Sequence, residues 1–229
     1  MCARYSLTSP PQAVRAHFGA KAFEPFPPRT VIRPTEPVGI VRHDWGGVPE
    51  LVLVRWGLIP SWVKEPQTFA TIINARAETA ADKPSFRGGL RHRRCLVPAD
   101  AFTEWSGPKG ARVPHLVRPR QAGPIAFAGI WEHWLGADGS EIETMAILTT
   151  AANTTVRAIH ERMPVIVAPG DYAAWLDCRS GSAVDVMSLL RPAPDNMLEI
   201  VRLEGTPETT GNRDVDPEDP SEPAQGRLL

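Results

Sequence analysis

Residues Ile125–Trp131 read IAFAGIW, a short run that is apolar throughout and built largely from β-branched and aromatic side chains. Short runs of that composition are what buried strands are made of. Three more share its character, at Leu51–Trp56, Met145–Thr149 and Val165–Ala168, and proline-rich turns separate them. Helical signals are fewer. Ser9, Pro10 and Pro11 open a short helix in the pattern of an N-cap followed by proline, and Gly19 is placed to end it. Ser182 with Asp185 resembles a capping box ahead of Val186, Leu189 and Leu190, and Pro192 stops that helix. Residues 23–37 carry five prolines and are expected to wrap irregularly over the surface. Short strands with a few short helices make this an α+β chain.

At 229 residues, of which 42% are hydrophobic and 22% charged, the chain fits one large domain or two small ones, and one is expected. The opening lacks the basic stretch and apolar core of a signal peptide, and no run approaches the length that crosses a bilayer. A cytoplasmic protein is expected. Cys2, Cys95 and Cys178 are odd in number and widely spaced, which suits free thiols in a reducing compartment better than a disulfide framework. The formal net charge of −1 is unevenly spread. Residues 204–229 hold seven acids against two bases, leaving residues 1–203 at +4. The basic side of that body is almost entirely arginine, the residue suited to bidentate phosphate contact. A modest positive cleft is expected, not a strongly basic surface. The domain is drawn at 1–205, with 206–229 expected to be an acidic, proline-rich tail without a packed core.

The N-terminus, MCARYSLTSP, poses a chemical question. If Met1 is removed, Cys2 carries a free α-amine and a thiol on adjacent carbons, a 1,2-aminothiol that no internal cysteine can be. An aldehyde condenses with such an amine to an imine, and the neighbouring sulfur then closes a five-membered thiazolidine. Both groups are mostly protonated near neutrality, with reference pKa values of about 7.7–8.0 and about 8.5. Local bases are therefore needed.

Polar residues inside otherwise apolar segments are the natural candidates, in CARY, INARAET (Ile73–Thr79), PADAFTEW (Pro98–Trp105) and AIHERMP (Ala158–Pro164). Each has an ordinary alternative. Asn74 suits a turn or a helix cap, Glu104 an arginine partner, and His160 a packed or surface histidine. Arg76 and Arg162 suit a solvated face. Trp62 is a candidate stacking platform for an unpaired base and equally a core residue.

Taken in order, these segments together with RWGLIPSW (Arg55–Trp62), RRCLVPADAFTEW (Arg93–Trp105), FAGIWEHW (Phe127–Trp134) and IHERMPVIV (Ile159–Val167) resemble the SRAP family, the SOS response-associated peptidase or abasic-site-processing proteins. The resemblance spans roughly residues 2–205. It implies that Cys2 bonds covalently to the aldehyde of an abasic site in single-stranded DNA, with Asn74, Glu104 and His160 around it. It also implies that Arg4, Arg76 and Arg162 grip phosphates beside the lesion. Within that reading Glu104 moves protons as the sugar hemiacetal opens, His160 shuttles protons or assists ring closure, and Asn74 positions the amine or the sugar. Lyase-type strand cleavage through the imine and self-removal of Met1 are expected as related abilities. Ala3 and Val31 depart from the family pattern, which usually has glycine and asparagine there.

Two other function classes fit parts of the sequence. One is a cysteine-dependent peptidase or amidase with Cys2 as nucleophile and His160 as base. The other is a DNA-binding module without chemistry. His92 and Cys95 have the spacing of half a zinc site, but no second pair accompanies them, so no metal is expected. No cofactor is expected either, and the chain is expected to act as a monomer. The architecture expected is a single α+β domain with the SRAP fold. Its core is a curved, barrel-like, mainly antiparallel sheet, with short peripheral helices and the N-terminus drawn into the central cleft.

Overall fold

The computed structural model describes residues 2–21, 26–108, 110–179 and 186–204. The chain opens with β1 (Tyr5–Leu7), α1 (Pro11–Phe18), β2 (Arg29–Ile32) and the hairpin of β3 (Pro37–His43) and β4 (Pro49–Trp56). After a long connection come β5 (Asn74–Arg76), a 3₁₀ turn at Ala77–Thr79, α2 (Pro84–His92), β6 (Arg94–Ala99), β7 (Ala101–Ser106) and β8 (Val113–Pro119). The remaining elements are β9 (Ile125–Leu135), β10 (Glu141–Ala151), α3 (Thr154–Arg157), β11 (Arg162–Pro164), β12 (Ile166–Val167), α4 (Tyr172–Leu176) and β13 (Leu198–Arg202).

Strands β10, β4, β3, β6 and β9 pair in that order, and β9 pairs back onto β10, closing a five-stranded barrel. Its pairings are antiparallel except β4 with β10. Closure leaves none of the five as a free edge. The IAFAGIW run is the first part of β9, gripped by β6 on one side and β10 on the other. Gly129 is where the run needs a glycine: a Cβ there would lie 2.8 Å from Cys95 Sγ and 3.0 Å from Val97 Cγ2, both on β6. Beyond Trp131, β9 alternates buried Glu132 and Trp134 with exposed His133 and Leu135. The apolar run ends there while the strand continues with one face solvated, so β9 is longer than its apolar core suggested.

A second, antiparallel sheet runs β13-β8-β7-β1-β2. Only Asp100 separates β6 from β7, so the chain passes directly from the barrel into this sheet. The Asp100 carboxylate accepts the backbone N–H groups of Thr8 and Ser9, each at 2.6 Å, and their hydroxyls at 2.9 and 2.7 Å. Four bonds thus bolt the exit of β1 to the β6–β7 corner.

Three expectations change. Pro10, not Ser9, is the residue flanking α1, because the Ser9 hydroxyl is committed to Asp100; Gly19 does end the helix, in the left-handed region at φ 60°. Within 23–37, Arg29–Ile32 forms a strand paired with β1. Prolines 27, 28 and 34 flank that four-residue window, and the strand lies at a sheet edge, where prolines are tolerated. The Ser182–Asp185 capping pattern lies outside the described residues, and Met187–Leu189 form a single 3₁₀ turn rather than part of a full helix. The 206–229 segment also lies outside them. Among the described residues no helix is long and apolar enough to cross a membrane.

Candidate active site

Cys2 has no exposed surface. Its segment is carried onto the second sheet by β1, and Thr103 N–H donates to the Arg4 carbonyl at 2.9 Å. The Cys2 carbonyl accepts Asn74 Nδ2 at 3.0 Å, and the Cys2 Sγ–H points at the Arg4 carbonyl, 3.8 Å away. Asn74 reaches this position because β5 runs parallel to β10, with Asn74 opposite Ile147. Its Oδ1 is buried without a hydrogen-bond partner among the described residues.

Glu104 comes from the middle of β7, with 2% of its side chain exposed. Burial disfavours the ionised carboxylate and pushes its pKa up to about 7. Burial also pushes the Cys2 thiol up, and the nearby Glu104 charge adds to that. His160 lies between α3 and β11. Asn153 caps α3 by accepting Val156 N–H at 2.9 Å, which sets the turn leading to His160. His160 Nδ1 lies 2.9 Å from the Arg162 backbone N and 3.0 Å from the Arg162 carbonyl oxygen, and its Nε2 lies 3.9 Å from Glu104 Oε2. Burial lowers the His160 pKa, so the ring is neutral near pH 7. Cys2, Asn74, Glu104 and His160 thus come from four separate segments, with a carboxyl able to give or take a proton near the thiol and an imidazole beside that carboxyl.

The arginines are arranged less uniformly than spacing suggested. Arg4 places its guanidinium 5.1 Å from the centre of the Trp105 ring. Arg76 is exposed at the end of β5, two residues from Asn74 and so on the same side of the strand. Arg162 forks onto the Glu78 carboxylate at 2.6 and 2.9 Å and donates to the Thr149 carbonyl at 2.7 Å. Trp62 is a surface residue. It is 57% exposed and meets Phe69 edge-on at 5.7 Å, beside a cleft lined by Arg55, Ile59, Thr71 and Ile142. The half zinc spacing does not form a pair: His92 is exposed on α2 while Cys95 is buried in the barrel wall. Among the described residues no group of three or more His, Cys, Asp or Glu is placed to hold a metal ion.

Two residues that matter here escaped the sequence reading. Asp100 anchors the segment bearing Cys2, and Glu78 holds Arg162. Asp100 lies within PADAFTEW, an acid between two apolar runs, and that interruption is the signal that points to it.

The chain matches the family model for SOS response associated peptidase (SRAP) over residues 1–206. The abasic site processing protein YoqW of Bacillus subtilis is 34% identical over 208 residues, covering 89% of this chain and 92% of that protein. The abasic site processing protein HMCES of Gallus gallus is 34% identical over 169 residues, 62% of this chain and 50% of that longer protein. A crystal structure of a Bacteroides thetaiotaomicron protein superposes with a TM-score of 0.80 at 26% identity, covering 89% of this chain and 92% of that one. A Bordetella bronchiseptica protein does so at 0.77 and 27%, covering 89% and 100%. With the model match running from the N-terminal cysteine through the last strand, this chain belongs to the SRAP family.

Proposed function

We propose that this chain processes abasic sites by capturing them in single-stranded DNA through Cys2, once Met1 has been removed. The freed α-amine attacks the C1′ aldehyde of the opened sugar to give a carbinolamine, which loses water to an imine. The Cys2 sulfur then adds to the imine carbon, its proton passes to the nitrogen, and the thiazolidine closes. The product is protein plus DNA minus one water.

Each neighbour has a part in this sequence. Glu104, with a pKa of about 7, is present in both protonation states near neutrality. It donates to the ring oxygen as the hemiacetal opens and accepts from the hydroxyl. His160, with Nε2 3.9 Å from Glu104, passes protons between that carboxyl and the sugar. Asn74 Nδ2 holds the Cys2 carbonyl, and its unpartnered Oδ1 is available to accept the new amine N–H. Arg4, Arg76 and Arg162 contact phosphates beside the lesion, Arg162 by exchanging the Glu78 carboxylate for a phosphate. Trp62, exposed and backed by Phe69, stacks an unpaired base farther along the strand. The imine also acidifies the sugar C2′ proton, which gives the site a route to strand scission, and removal of Met1 falls to the same groups.

The observation that most supports this reading is the buried Cys2 held at its carbonyl by Asn74, beside a glutamate whose burial tunes it to neutrality. It is tested by incubating Met1-processed protein with a single-stranded oligonucleotide carrying one abasic site. A species resistant to denaturation, with the mass of protein plus DNA minus one water, is expected. Its absence, with a free N-terminal cysteine verified, rejects the proposal. A cysteine peptidase fits the geometry less well, since the histidine that would serve as its base faces Glu104. An N-terminal extension that blocks the amine separates the two: it abolishes thiazolidine formation and spares a simple thiol nucleophile.

A further inference from the structure

We infer that the inner face of β7, β8 and β13, beyond Glu104, is a phosphate subsite for the strand leaving the lesion, with Arg202 as its cationic donor and the Ser106–His115 pair beside it. The inference rests on the DNA-capture reading above and extends the site toward the sheet edge.

Strand register supplies the geometry. Glu104 on β7 is directly opposite His115 on β8, and His115 is directly opposite Arg202 on β13. Directly opposed residues project from the same face of a sheet, with Cβ atoms about 5 Å apart. The preceding rung of that face is Phe102, Val117 and Ile200, where Phe102 and Val117 are fully buried, so the face looks into the protein. Along the next rung burial falls steadily, from buried Glu104 through half-buried His115 to exposed Arg202. A polar strip about 10 Å wide therefore leads from the reacting residues to the sheet edge.

The strip is polar and ends on the Arg202 guanidinium. Ser106, on the same side of β7 as Glu104, has its Oγ 2.8 Å from His115 Nε2. His115 Nδ1 is buried without a hydrogen-bond partner among the described residues. Burial, and after it the neighbouring Arg202 charge, opposes a second proton on that ring. An exposed guanidinium at the mouth of a polar strip that leads back to Glu104 is suited to holding an anion. In a strand whose aldehyde lies at Cys2, the anion available is a backbone phosphate.

Undamaged single-stranded oligonucleotide is the probe, because it reports this contact without the capture chemistry. Fluorescence anisotropy should show Kd for Arg202→Gln and for His115→Ala raised about 3- to 10-fold over the unsubstituted chain. The slope of log Kd against log salt should fall by about 0.7 for Arg202→Gln and recover in Arg202→Lys. At saturating abasic oligonucleotide the crosslinking rate constant should stay unchanged. Arg202 is exposed, so Arg202→Gln carries the test even if His115→Ala melts early. Unchanged affinity and salt slope in well-folded Arg202→Gln overturn the inference. So does a slower crosslinking step at saturation with unaltered affinity, since that assigns the strip to the chemistry. If the unsubstituted protein binds the undamaged strand but never crosslinks, the capture reading fails while this contact is still measured.

Discussion

Glu104 shows how one side chain can carry both the chemistry and a cost in stability. Its native pKa of about 7 exceeds the ordinary 4.5, so between those values the folded protein holds a proton that the unfolded chain has released. Stability therefore falls as pH rises from about 4.5 to about 7 and is flat above. Glu104→Gln lacks that fall. Thermal melts should show the variant gaining on the unsubstituted chain from pH 5 to pH 8, by no more than about 3 kcal/mol. The same substitution should slow crosslinking by about 10²- to 10⁴-fold without weakening DNA binding, checked by single-turnover gels beside anisotropy. The importance of Glu104 was legible in PADAFTEW; its protonation was not, because that depends on what the fold packs around it.

Asp100 and Glu78 act between elements. Asp100 joins the start of α1 and the exit of β1 to the β6–β7 corner through four hydrogen bonds. Asp100→Ala leaves two backbone donors without their acceptor and should cost about 2–4 kcal/mol in denaturant unfolding. It should also slow crosslinking at saturating DNA, because the loosened β1 carries Cys2. Glu78 links the turn after β5 to β11 through Arg162. Glu78→Gln removes the carboxylate that competes with phosphate for that guanidinium, so anisotropy should show undamaged single strands binding about 3-fold more tightly. Elements were readable where composition was pure, as in the four apolar runs. They were misread where proline dominated: Arg29–Ile32 is a strand because β1 offers it an edge, and no local signal states that offer.

Over the whole molecule, barrel closure forces β6, β9 and β10 close together at Gly129. A methyl there meets Cys95 Sγ and Val97 Cγ2 in a ring of strands that cannot spread, so Gly129→Ala should lower stability by about 1–3 kcal/mol in chemical denaturation. The same closure fixes β5 against β10 and so presents Asn74 to Cys2. By itself the sequence determined what depends on covalent neighbours and side-chain shape: the aminothiol latent at position 2, the β-branched and aromatic strand runs, and the motifs that mark the family. Only the tertiary structure decided which residues meet. Asn74 lies 72 positions from Cys2, and the pairing of strands, not local preference, closes that distance. Burial then decided the proton on Glu104, and ion pairing the partner of Arg162, because both energies arise from groups remote in the chain.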